Sequence, residues 1–153
     1  MASSEHWKEE PDDHDFPAAA SYLSLVLRSS LVDAAVDALR NAPLAHFKAK
    51  DLLRASGLSS LPEDNVHVAK DLKKVKAGTR LSPVLVVRGD ARHGLPLLIA
   101  DGYHRICASH IVDEDADIPC LLRRYLAMVS GPAPRRADRR SGTGCRRLRR
   151  RCG

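Results

Sequence analysis

The chain is 153 residues long, enough for one domain with a real core, and sets 25 Lys and Arg against 19 Asp and Glu, a formal net charge of +6. The excess is confined to the last stretch, where nine arginines between Arg135 and Arg151 face only Asp138. Without these the totals fall to 16 basic and 18 acidic groups, and the body is slightly acidic at −2. The basic balance is therefore no argument for a nucleic-acid-binding fold, and no run approaches the roughly 18 apolar residues of a membrane span.

The start, MASSEHWKEEPDDHDF, is polar and acidic and reads as a disordered leader over residues 1–16. It lacks the apolar stretch of a secretory signal, which points to the cytoplasm and to reduced thiols for the 4 cysteines. A helical pair is expected over 17–42. From Pro17, "AAASYLSLVLR" places Tyr22, Leu23, Val26 and Leu27 at helical spacing. "SSLVDAAVDALRNAP" restarts with Ser30 three positions before Asp33, in the manner of a capping box, and Pro43 stops it.

"HFKAKDLLRASGL" alternates loosely through Phe47, Ala49 and Leu52 and reads as a short strand running into a turn at Gly57. A helix carrying Val68, Leu72 and Val75 follows, ended by Gly78. "PVLVV" (83–87) and "PLLIA" (96–100) are apolar strands, either a hairpin or neighbours, around the polar loop "RGDARHG". A helix from Asp101 or Gly102 to about Val112 leads through "DEDAD" to a last strand, "IPCLL" (118–122). Together these elements make an α+β fold. Over 127–153 Arg, Pro, Gly and Ser dominate, and nothing there can offset the entropy of ordering, so a disordered tail is expected. Its arginines suit non-specific contact with nucleic acid.

"IADGYHRICASHI" (99–111) concentrates the chemistry. A zinc site on His104, Cys107 and His110 fits poorly: at about 100° per residue the two histidines end about 120° apart around a helix. No zinc is expected. Cys107 lies too far into the helix for its dipole to make a thiolate and shares a face with Tyr103 and Ile111, so it reads as core. The remaining reading is an anion cradle. A strand, a glycine that lets the backbone approach, and a helix start present amide groups to phosphate, with His104 and Arg105 in the first turn. Asp101 either caps that helix or holds a Mg²⁺ that bridges phosphates.

The stretch "LSPVLVVRGD" followed by "LPLLIADGYHRICASHIVDEDADIPCLL" resembles the ParB/sulfiredoxin superfamily of ParB-like nuclease domains over about residues 44–126, most specifically in Ala100 to Arg105. The resemblance implies a small mixed sheet with packed helices, preceded here by the helical pair. It also implies a nucleotide or other phosphorylated ligand held by Gly102, His104 and Arg105, with Tyr103 beside them. His67 and Lys70 would stand in for a missing basic box near Asn65. Tyr103 occupies the place of the sulfiredoxin cysteine, so sulfinic-acid repair is not expected, and no helix-turn-helix follows. An enzymatic version would be a nucleotide hydrolase or phosphotransferase, with Asp101 and His104 as catalytic groups and Mg²⁺ with a nucleoside triphosphate. The alternative is a ligand-gated, self-associating binding module, a homodimer for example. A nuclease would need more carboxylates than Asp101 alone near the phosphate.

Overall fold

Four consecutive residues, Val84 to Val87, are completely buried, because the strand that carries them is covered on both faces. In the structure, a computed structural model that describes residues 6–124, this strand is β2 (Val84–Arg88). Successive side chains point to opposite sides of a sheet. Val84 and Val86 accordingly enter one core, and Leu85 and Val87 enter another.

The protein is a mixed α+β fold built on a four-stranded sheet of order β1-β4-β2-β3, with β1 at Leu44–Lys48, β3 at Leu98–Asp101 and β4 at Asp117–Arg124. β2 runs parallel to β4 and antiparallel to β3, and β1 is antiparallel to β4. The first core lies under α3 (Ala49–Ser56), α4 (Val66–Lys76) and α5 (Tyr103–Val112). The second lies under α1 (Asp15–Val26) and α2 (Ser29–Arg40), the expected helical pair. Among the described residues no helix is long and apolar enough to cross a membrane.

Several expectations need correction. Residues 6–16, read as a disordered leader, are part of the structure: Trp7 is 6% exposed and forms a parallel bridge with Leu81, and α1 begins at Asp15, two residues before Pro17. One buried aromatic ring outweighs the acidic composition around it. The strand placed in "HFKAKDLLRASGL" ends at Lys48, and the rest is helix α3, whose Ala49, Leu52, Leu53 and Ser56 face inward before Gly57 closes it at φ 71°. The Ser30–Asp33 box is not formed, since α2 starts at Ser29 with Arg28 at its cap and no side-chain bond. The expected tail, 127–153, lies outside the described residues.

Candidate functional site

β3 passes into α5 through Gly102, which sits at φ 100° as the helix cap. A Cβ at this position would fall 2.4 Å from Val84 Cγ1 and 2.8 Å from its Cβ, so only glycine lets the corner lie against β2. No side chain caps α5, so Asp101 does not take the capping role considered for it. The first-turn amides of α5 receive no side-chain cap, and the positive end of the helix dipole lies at this corner.

The Asp101 carboxylate is engaged by Arg105. Arg105 Nη2 donates to Asp101 Oδ2, and Nη1 donates to Asp15 at 3.3 and 3.4 Å. Asp15 also accepts from the Ser82 hydroxyl and, at 3.0 Å, from the Asp12 amide. The guanidinium, only 12% exposed, is therefore braced between two internal carboxylates and is not the free phosphate contact that its place in the motif suggested.

Two acids share one guanidinium, and their protonation diverges. Burial pushes the Asp101 carboxyl up to about 6; the nearby Asp15 charge adds to this and Arg105 opposes it. Burial also raises Asp15, but the Ser82 hydrogen bond and the Arg105 charge outweigh it and hold that carboxyl below its usual range.

Beside this corner the N-terminal ends of α4 and α5 meet. The rings of His67 and His104 lie 4.7 Å apart between centroids, tilted by 36°, and Tyr103 is 5.8 Å from His104. Burial, then the neighbouring His67, lowers the His104 pKa, with Arg105 adding to the fall and Asp71 opposing it. The neutral imidazole is therefore favoured at His104. The Tyr103 hydroxyl donates to the Ser59 carbonyl, which ties the loop before α4 to the site. Asn65 serves as the cap of α4, accepting from the His67 and Val68 amides at 3.1 and 3.3 Å. Lys70 lies one turn further along α4 and is exposed.

The structure thus brings together Gly102, Tyr103, His104 and His67, turns Asp101 and Arg105 toward each other, and leaves Lys70 at the margin. It also adds Asp15 and Ser82, which sequence reasoning missed because they are 90 and 23 positions from Arg105, and no local pattern encodes so distant a partner. Cys107 is completely buried and its sulfur accepts from the Leu61 amide at 3.4 Å, as suits a core residue. No group of three or more His, Cys, Asp or Glu able to hold a metal ion is present among the described residues. With Asp101 bound by Arg105, these side chains do not fit a resident Mg²⁺. Compared with known proteins, the chain matches no family model, no curated protein and no solved structure.

Proposed function

We propose that the chain is a ParB/sulfiredoxin-like domain of the cytoplasm that binds a nucleotide or another phosphorylated ligand at the N-terminus of α5, as a binding module and without turnover. The observation that carries this reading is the meeting of an uncapped helix start with the His67–His104 ring pair. Uncapped amides and the dipole favour an anion there, and two imidazoles can donate hydrogen bonds to it. A phosphate dianion beside His104 would raise the pKa that burial has lowered, so binding would take up a proton and tighten as pH falls.

Arg105 has a bracing role in this reading. It ties Asp101 at the end of β3 to Asp15 on α1 and so holds the corner that presents the amides. Because that pairing uses the Asp101 carboxylate, Asp101 is not free to act as a base beside His104, and no hydrolytic step is assigned to the catalytic candidates. The Arg-rich 127–153 segment would add a salt-sensitive, sequence-independent affinity for nucleic acid.

Calorimetric titration and thermal shift with ATP, CTP, GTP and inorganic phosphate, each with and without Mg²⁺, test the reading. At least one should stabilise the protein. His104→Ala should weaken that compound about tenfold or more, the loss of one charge-assisted hydrogen bond. If none of the four shifts the melting temperature, or if both His67→Ala and His104→Ala leave the affinity unchanged, the site is wrong. Phosphate release would show that the module is an enzyme.

A further inference from the structure

On the same face of the sheet a second opening lies between β1, α3 and the C-terminal ends of β2 and β4, and it shares no residue with the α5 corner. The cavity measures about 160 Å³, and its walls are Phe47, Leu52, Val86, Leu97 and Leu122. Ala55 and two charged side chains, Asp51 and Arg88, complete the lining. Asp51 accepts from Arg54 at 2.8 Å, so its charge is already answered.

Arg88 is different. It is the exposed last residue of β2 and stands in register beside Arg124 at the end of β4. Strand alternation sets Arg88 on the face of Val86 and Arg124 on the face of Leu122, and both of those apolar residues wall the cavity. Neither arginine makes an ion pair or a side-chain hydrogen bond among the described residues, and like charges side by side on neighbouring strands cost stability. An anion at the mouth would remove that cost. The walls behind it are apolar and suit carbon.

We propose that this cavity binds a small amphipathic carboxylate, with its ring or chain among the apolar walls and its carboxyl group on Arg88, next to Arg124. An engineered cavity of about 150 Å³ takes benzene, which sets the scale at an acid of about six to eight carbons. A guanidinium receives a carboxylate through two parallel hydrogen bonds, and the exposed side chain is free to do so.

Benzoate and hexanoate serve as probes, with benzyl alcohol and benzylamine as the neutral and cationic counterparts, followed by NMR titration of the full chain. Both acids should bind at least tenfold more tightly than the alcohol or the amine. Arg88→Ala should bring benzoate down to the level of the alcohol without changing the alcohol. Ala55→Phe, an exposed position on the wall, should close the cavity to both. The proposal is overturned if alcohol or amine binds as well as acid, if Arg88→Ala leaves benzoate unchanged, or if Ala55→Phe has no effect. His104→Ala should not alter benzoate binding, so this result is independent of the phosphate site.

Discussion

Asp15 and Arg105 lie 90 positions apart in the chain and meet as an ion pair at 3.3 Å, the acid 4% and the arginine 12% exposed. Asp101 completes the arrangement from the other side of the guanidinium. Two carboxylates and one cation leave one negative charge uncompensated in a partly buried space, so the arginine is the member whose loss should cost most. Arg105→Ala should destabilise the fold by about 3 kcal/mol, because it strands both acids. Asp101→Asn should change stability by less than about 1 kcal/mol, since the amide oxygen still accepts from Arg105 and the repulsion from Asp15 disappears. Urea unfolding of the two variants measures the difference, and equal losses would show that the acids do not compete for the guanidinium.

The same competition sets a pH dependence. With its carboxyl raised to about 6 from an ordinary 3.8, Asp101 binds its proton more tightly in the folded protein than in the unfolded chain. Its contribution is therefore fully present below about pH 4 and is lost as pH rises through about 6, on the order of 3 kcal/mol in all. Asp15, held low, acts in the opposite sense: its contribution is present above about pH 4 and disappears on further acidification. Asp101 should thus lower stability as pH rises from 4 to 7 while His104, held below its ordinary value, works the other way, so the wild type should lose stability relative to Asp101→Asn across that window. Denaturation midpoints across that window in both proteins decide the matter, and a wild-type profile that does not fall relative to that of Asp101→Asn would refute the assignment.

Much of this architecture was legible in the sequence because it rests on local patterns. The apolar runs around "RGDARHG" are the antiparallel pair β2 and β3, and the Gly102 corner opens a helix as its glycine demanded. α3 was missed although Ala49, Leu52, Leu53 and Ser56 fall at helical spacing before a glycine. The preceding strand residues shared the window and blurred the period. The Asp15 brace was not legible at all. An acid in a charge-rich segment looks solvated until the fold sets Ser82 and Arg105 against it. The His67–His104 contact likewise depends on how α4 packs against α5, which no spacing within either helix records.

Gly102 is tied to Val84 by contact as well as by backbone angle. Gly102→Ala must accept a left-handed conformation at about 1–2 kcal/mol and press a methyl group into Val84, so a total loss of about 2–4 kcal/mol is expected. Gly57→Ala is the control, because Gly57 has a similar φ of 71° but open space around it, and it should cost only the backbone part, about 1 kcal/mol. Adding Val84→Ala to Gly102→Ala should make the pair less destabilising than the sum of the single changes. Strict additivity would mean the close approach to β2 contributes nothing.

Trp7 is the only tryptophan in the chain, so its fluorescence reports on the N-terminal strap alone. The Leu81 amide donates to the His6 carbonyl at 2.7 Å, and the Lys8 amide donates to the Leu81 carbonyl at 2.8 Å. The ring between them joins the core beneath α3, α4 and α5. Truncating such a ring costs about 3–5 kcal/mol, and Trp7→Ala should fall in that range. The strap is fastened a second time where Asp15 meets Ser82 and Arg105, so it should not fray ahead of the sheet. In urea, the fluorescence and far-UV circular dichroism transitions should coincide in the wild type. In Arg105→Ala the fluorescence transition should come first, because one of the two fastenings is gone; coincident transitions in that variant would mean Trp7 alone holds the strap in place.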